Sequence, residues 1–159
     1  MKTIAQQLNI KDFPFEIKDK DGNRIYLEDS NRDWCRSEYK EGEEIYYENN
    51  DGYSYKKEYK DGKIIYYEDS SRFWFKAKYK DGKPIYFENS NGYWCKRKYK
   101  DGNQIYFKDS SGYWFKRVYK DGERVYYENS KGVVRDDRPK ERPCVGKKVT
   151  IDGVEYELK

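Results

Sequence analysis

Aromatic and basic side chains that recur every twenty residues are the groups in this chain best suited to chemistry, and that chemistry is binding. Trp74, Trp94 and Trp114 stand at this spacing, and each is followed two residues later by a lysine. Indole rings stack on planar groups, and ammonium groups attract anions or lie over aromatic rings. With two tyrosines of the same period they form the predicted partner-binding set: Trp74, Trp94, Trp114, Tyr86, Tyr106, Lys96 and Lys116.

Groups suited to catalysis are scarce. The chain contains no His, which removes the commonest general base and metal ligand. It has no Gly-rich phosphate loop, and its cysteines, Cys35, Cys95 and Cys144, lack the spacing of zinc ligands. Glutamates that recur every twenty residues are interpreted as cross-strand partners of lysine rather than as acid and base pairs; they are Glu28, Glu48, Glu68 and Glu88. We therefore predict a protein that is not an enzyme and has no catalytic residue, metal or cofactor.

The elements that must position these residues are β-hairpins. An Asp-Gly or Glu-Gly pair recurs without insertion at 21/22, 41/42, 61/62, 81/82, 101/102 and 121/122, which indicates a structural repeat. In the central unit, residues 93–100 alternate in character, and a short apolar run follows the Asp101-Gly102 turn. The predicted fold class is all-β: an antiparallel meander of about twelve strands from 20-residue hairpin repeats, an elongated sheet that is curled or partly rolled, with a C-terminal β-hairpin.

The register of each hairpin depends on how its Asp-Gly turn is made. A two-residue turn at Asp61-Gly62 sets Tyr59 opposite Ile64, and a regular ladder from there scatters the apolar residues over both faces. A three-residue loop over 60–62, with Gly62 left-handed in a bulge, sets Tyr59 opposite Lys63 and gathers the apolar residues on one face. We therefore predict the three-residue loop.

This register predicts two chemically different faces. Face one is the expected core, where Cys35 and Cys95 serve as small buried hydrophobic residues, and its columns begin at Ile25, Leu27, Cys35 and Tyr39. Face two mixes aromatic rings with both signs of charge, in columns that begin at Tyr26, Glu28, Trp34 and Arg36. The partner-binding residues all belong to face two.

Composition and local signals divide the chain into segments. Charged residues make up 40% and aromatic residues 19%, and disordered chains of that charge lack the aromatic residues and the repeating turns. The predicted segments are a cap (1–12) with a short helix begun by Thr3, the repeat array (13–132), a linker (133–146) and the terminal hairpin (147–159). No apolar run is long enough to cross a bilayer and no secretory signal is present, which predicts a cytoplasmic protein without a membrane partner.

The repeating unit resembles known repeat families. Gly-Tyr-Trp-x-Lys-Arg-x-Tyr-Lys-Asp-Gly, as at 92–102, resembles the tyrosine-aspartate (YD, or RHS) repeat, a Gly followed by Arg-Tyr-x-Tyr-Asp-x-x-Gly. Units of the form IYYENSNGYWxKRxYKDG, with a preceding FPFEIKDKDGN and a following DDRPKE, look like small repeat proteins encoded by bacteriophages and prophages. That likeness covers residues 1–142. It implies a protein-binding role in the bacterial host cell, with inhibition of a host defence protein as the expected activity.

Several partner classes remain open. A protein partner is favoured because Tyr and Trp bring a large contact area with few torsions to freeze. Single-stranded nucleic acid is an alternative, since aromatic rings alternate with Lys and Arg, although 34 basic against 30 acidic residues leave a net charge of only +4.

Two further possibilities concern sugars and a second copy of the chain. Choline-binding repeats are similarly rich in Trp and Tyr, which makes a carbohydrate-binding module another alternative, but their Gly-Trp and Trp-Tyr-Tyr motifs are missing here. Exposed sheet edges invite pairing, so a homodimer through an edge or through face one is also expected.

Overall fold

A computed structural model of the protein describes residues 2–138 and 146–158. In these residues the chain forms one short helix, α1, and fifteen strands. The bounds are α1 Ile4–Gln7, β1 Phe15–Lys18, β2 Arg24–Glu28, β3 Trp34–Lys40, β4 Glu43–Asn49, β5 Ser54–Lys60, β6 Lys63–Asp69, β7 Trp74–Lys80, β8 Lys83–Asn89, β9 Trp94–Lys100, β10 Asn103–Asp109, β11 Trp114–Lys120, β12 Glu123–Asn129, β13 Val134–Asp136, β14 Lys148–Ile151 and β15 Val154–Glu157. Strands β1 to β13 form one open antiparallel sheet in sequence order, and β14 and β15 form a separate hairpin. The predicted all-β meander is confirmed.

The array has thirteen strands rather than the expected twelve. Strand β13 lies inside the segment predicted as a linker (133–146), and it pairs with β12 through Val134 opposite Glu128 and Arg135 opposite Tyr127. Backbone pairing does not depend on side-chain polarity, so the free edge of β12 accepts a charged, aperiodic segment as readily as an alternating one. The rest of that linker, with Cys144, lies outside the described residues.

The Glu41-Gly42 turn and the Asp-Gly turns from 61/62 to 121/122 have two residues, so the predicted three-residue loop is wrong there. The Asp21-Gly22 turn does have a three-residue loop, 20–22, closed by the hydrogen bond from Asp19 N–H to Asn23 O at 2.9 Å. Lys60 pairs with Lys63 and Tyr59 with Ile64, while φ is 52° at Asp61 and 66° at Gly62. Positive φ at both central residues is the signature of the type I′ turn, whose twist matches that of the flanking strands.

A β-bulge restores the predicted faces. Glu58 pairs with Tyr66, so Ile65 is an extra residue in β6 and every later residue of the strand is shifted by one. Tyr67 then lies opposite Phe75 on face one, and Tyr66 lies opposite Lys76 on face two. The predicted faces are therefore confirmed for the residues after the bulge, although the turn was predicted wrongly. The bulge residue is an exception, since Ile65, predicted on face one, lines a cavity with the face-two residues Arg36 and Glu58.

The second turn type is built around an Asx side chain. Asn89 Oδ1 accepts backbone N–H groups from Asn91 at 3.1 Å and Tyr93 at 3.2 Å, and Gly92 closes the turn with φ of 79°. Arg72 replaces this glycine in another unit and still adopts φ of 69°. The turn shape therefore persists, with backbone strain at the arginine.

Face one holds a ladder of rings that crosses neighbouring strands. Ring centroids are 5.2 Å apart for Tyr47 and Tyr55, 5.5 Å for Tyr67 and Phe75, and 5.6 Å for Phe75 and Phe87. Cys95 takes the next position in this column and is fully buried. Because one sheet has no second layer to pack against, such cross-strand stacking supplies much of its side-chain packing.

The N-terminal cap covers the beginning of face two. Helix α1 has Thr3 as its N-cap, as predicted, with Gln6 completing a capping box. The carboxylate of Glu28, which is fully buried, accepts hydrogen bonds from the Thr3 hydroxyl at 2.8 Å and the Tyr26 hydroxyl at 2.8 Å. This contact fixes the cap segment on the first strands of the sheet.

Candidate binding face

The register brings the predicted partner-binding residues together on face two of β7 to β11. Tyr86 lies opposite Lys96, and Tyr106 lies opposite Lys98 on one side and Lys116 on the other. The tryptophan and tyrosine side chains are half-buried, whereas the lysines are exposed. The surface is thus a row of rings with ammonium groups above them.

The turns hold the tryptophans in place. Trp114 begins its strand directly after a turn, and its backbone accepts the Ser130 N–H at 3.0 Å and donates to Ser130 Oγ at 3.3 Å. Trp94 accepts the N–H of Ser110 at 2.9 Å in the same way. Each tryptophan is therefore anchored by the turn of the following hairpin, which keeps the three rings in register across the sheet.

Lysine side chains lie along the indole rings. The ammonium nitrogen is 5.4 Å from the ring centroid for Lys76 and Trp74, and 5.5 Å for Lys96 and Trp94. The distance for Lys116 and Trp114 is 5.1 Å. These are cation–π distances, and the aliphatic stems cover part of each ring while the charge stays in water.

Tyrosine hydroxyl groups donate hydrogen bonds to glutamates of face two. Tyr86 donates to Glu88 at 2.8 Å, and Tyr126 donates to Glu128 at 2.7 Å. The hydrogen bond to Glu88, helped by desolvation, raises the pKa of Tyr86. Lys116 also forms an ion pair with Glu128 at 2.7 Å, as expected for cross-strand partners. These carboxylates hold neighbouring side chains in place.

The glutamate column is interrupted once, at Lys108. This residue lies directly opposite Lys96 on β9 and opposite Trp114 on β11. Four exposed lysines therefore surround Tyr106 on three neighbouring strands: Lys96, Lys98, Lys108 and Lys116. Face two of β9, β10 and β11 carries no carboxylate within the strands.

Charge on face two is uneven along the sheet. Over β3 to β6, its strand residues comprise five basic and five acidic side chains: Arg36, Lys40, Lys56, Lys60, Lys63, Glu38, Glu43, Glu48, Glu58 and Glu68. Over β7 to β12 there are ten lysines and three glutamates: Lys76, Lys78, Lys80, Lys83, Lys96, Lys98, Lys100, Lys108, Lys116, Lys120, Glu88, Glu123 and Glu128. We call face two of β7 to β12 the basic half of that face. The chain's modest net charge conceals this local excess.

A cavity outside the basic half of face two was not predicted from the sequence. It measures about 890 Å³ and lies over β3 to β6, where Arg36, Tyr46 and Glu58 contribute to its lining. The bulge residue Ile65 also faces it. The sequence does carry one signal for it, because Glu38 and Glu58 are replaced at the same position of later units by Lys78, Lys98 and Val118.

Metal-site clusters and membrane-spanning helices are both absent from the described residues. No group of three or more His, Cys, Asp or Glu side chains there has the arrangement of a metal site. No helix there is long and apolar enough to cross a membrane. Comparison with known proteins gives no match, either to a protein-family model or, at a significant level, to a curated protein.

Proposed function

We propose that this chain is a non-catalytic binding protein whose basic half of face two holds a protein partner with an acidic surface. The observation that carries the proposal is the row of Trp74, Trp94 and Trp114, which lies half-exposed on a single-layer sheet and is flanked by lysines. Lys76 and Lys96 form no ion pair with a described residue, whereas Lys116 pairs with Glu128. Tryptophan and tyrosine dominate binding energy at protein interfaces, and complementary charge steers the partner and fixes its orientation.

The dimensions of the basic half suit such an interface. Six strands at about 4.8 Å spacing span about 24 Å, and seven residues at about 3.3 Å extend about 23 Å along each strand. A specific interface needs on the order of 800 Å² of accessible surface per partner. The aromatic rows and their lysines therefore supply a surface of the required order without involving the acidic residues of β3 to β6.

The positions of the glutamates favour a protein over a nucleic acid. The lysine-only strands β9 to β11 are bordered by Glu88 on β8 and Glu128 on β12. A nucleic-acid strand that crosses the sheet meets a carboxylate at both borders, whereas a folded protein can place a compact acidic group over three strands. The resemblance to phage-encoded repeat proteins supports a bacterial host protein as the partner, with inhibition of that protein as the consequence.

Capture from nuclease-treated bacterial lysate tests this proposal when the wild type is compared with matched variants. A specific protein should be retained by the wild type and by Trp34→Ala, which alters the same column outside the basic half, and lost by Trp94→Ala and Trp114→Ala. Retention of nucleic acid alone, with affinity that falls by orders of magnitude between 50 and 200 mM salt, would assign the face to nucleic acid. Equal capture by all four proteins would contradict the proposal.

A further inference from the structure

A second cluster of cations lies on face one, at the other side of the sheet and at its C-terminal end. Arg117 on β11 and Arg135 on β13 both lie opposite Tyr127 on β12. Arg124 is also near this ring, with its guanidinium carbon 5.2 Å from the centroid. A cavity of about 330 Å³ is lined by Arg117, Arg124, Tyr127, Asn129, Val133 and Arg135.

The arginines of this cavity are available to bind an anion. The guanidinium carbon of Arg117 lies 4.0 Å from the ring centroid of Phe115, and its Nε is buried without a hydrogen-bond acceptor in the described part of the chain. None of the three arginines forms an ion pair with a described residue. Buried donors in native proteins are usually satisfied, and converging cations repel one another unless an anion lies between them.

The β3–β4 hairpin shows which group this position of the repeat can hold. Glu44 occupies the position that corresponds to Arg124, and its carboxylate accepts hydrogen bonds from the hydroxyl groups of Ser37, at 3.0 Å, and Tyr55. Lys57 lies 3.5 Å from the same carboxylate. The equivalents of Ser37 and Tyr55 are Arg117 and Arg135. An anion is thus held at this position in the β3–β4 hairpin by residues of the chain itself.

In the β11–β12 hairpin these positions carry cations, and no carboxylate of the described residues pairs with them. Asp137 corresponds to Lys57 and is the nearest carboxylate by register, but it forms no ion pair with the three arginines. Asn129 donates to the Tyr127 hydroxyl at 2.8 Å, and the hydroxyl groups of Tyr113 and Tyr127 are 3.3 Å apart. These hydrogen bonds, with the charges of Arg117 and Arg124, lower the pKa of Tyr127. The environment therefore stabilises negative charge.

We propose that this cavity binds the phosphate group of a small ligand. Planar guanidinium groups donate paired hydrogen bonds to phosphate oxygens. The positive charge of three guanidinium groups matches a phosphate dianion better than it matches the single negative charge of a carboxylate. The volume lies near the lower end of small-molecule sites, which begin at about 300 Å³. Since the cavity is on face one, this inference is independent of the function proposed for face two.

The NMR signal of the Arg117 Nε–H group tests the proposal directly in the full-length protein. Inorganic phosphate should shift this signal saturably, and acetate at equal ionic strength should shift it far less. Arg124→Gln and Arg135→Gln, which alter exposed residues, should each weaken phosphate binding by about tenfold or more, because each removes a charge-assisted hydrogen-bonding group. Lys131→Gln is the matched control, since it removes one positive charge from the neighbouring turn outside the cavity, and it should leave the affinity unchanged.

The outcomes distinguish a specific phosphate site from non-specific electrostatic attraction. Saturable binding that only the arginine variants weaken supports the proposal. Three results would overturn it: no saturable shift in tens of millimolar phosphate, an equal response to acetate, or an equal loss in Lys131→Gln. Circular dichroism of each variant establishes that the sheet is intact before the affinities are compared.

Discussion

Lys108 lies directly opposite Lys96 across strands β10 and β9 on face two. The same position carries glutamate in the other units, where Glu48, for example, forms an ion pair with Arg36 at 2.7 Å. Like charges directly opposite each other destabilise a sheet. Lys108, the one exception in this column, therefore reduces stability at the centre of the proposed binding surface, as expected if this lysine contacts the partner.

Replacing Lys108 with glutamate separates these two effects. Lys108→Glu restores the column pattern and should raise the free energy of unfolding by about 0.5–1 kcal/mol, the size of a cross-strand pair. Denaturant titration measures this change, with Lys131→Glu as the control for altered net charge. The same variant should bind the acidic partner more weakly. A variant that is less stable, or one that binds equally well, would contradict the role assigned to Lys108.

Glu28 should fix the N-terminal cap through its hydrogen bonds. Its buried carboxylate also accepts the Ala5 N–H at 3.3 Å and pairs with Arg32 at 3.2 Å. Glu28→Gln removes the charge from this network and should lower stability by about 1.5–3 kcal/mol. Hydrogen exchange at the Ala5 amide should accelerate in parallel, and unchanged protection at that amide would show that the cap is held by other contacts.

The contribution of Glu28 to the free energy of unfolding should depend on pH and decrease in acid. Burial alone raises its pKa, but hydrogen bonds from Tyr26, Thr3 and Arg32 outweigh burial and hold the pKa below its usual value. A depressed folded-state pKa stabilises the protein above the unfolded-state value of about 4.3. The stability difference between wild type and Glu28→Gln should therefore be full near neutral pH and shrink as pH falls below about 4. A difference that grows in acid would reverse this assignment.

Arg72 should be a site where glycine stabilises the protein. Its φ of 69° is costly for a side chain with a Cβ atom, whereas Gly92 occupies the equivalent position at 79°. Arg72→Gly should raise the free energy of unfolding by about 0.5–1 kcal/mol, after the entropy of glycine in the unfolded chain is included. Gly92→Arg should have the opposite effect. Thermal or denaturant unfolding of both variants checks the prediction, which fails if Arg72→Gly is destabilised.

Removal of a whole unit should leave a folded array. The sheet is open and its strands pair only with sequence neighbours, so deletion of residues 61–80 joins Lys60 to the next Asp-Gly turn. Circular dichroism should retain the β spectrum while the denaturant m value falls with chain length, by about one eighth. Complete unfolding of this variant would show that the strand number is fixed by longer-range packing.

The sequence predicted those features that depend on periodicity. Columns such as the tryptophans of face two repeat at a fixed spacing, and strand alternation alone assigns them to a face. The bulge at Ile65 was missed because a shorter turn followed by an extra residue produces the same faces as the predicted loop for every residue after the bulge. Strand β13 and the cavity over β3 to β6 follow from a free edge and from local backbone shape, neither of which leaves a periodic signal.

The affinity of the captured partner for wild-type and tryptophan variants tests the central claim most directly. Trp94→Ala and Trp114→Ala should each cost at least about 2 kcal/mol of binding, as buried aromatic anchors do, while Trp34→Ala should bind as tightly as the wild type. Isothermal titration at two salt concentrations measures these values on proteins with unchanged circular dichroism. If the double variant Trp94→Ala and Trp114→Ala folds normally and keeps wild-type affinity, face two is not the binding surface.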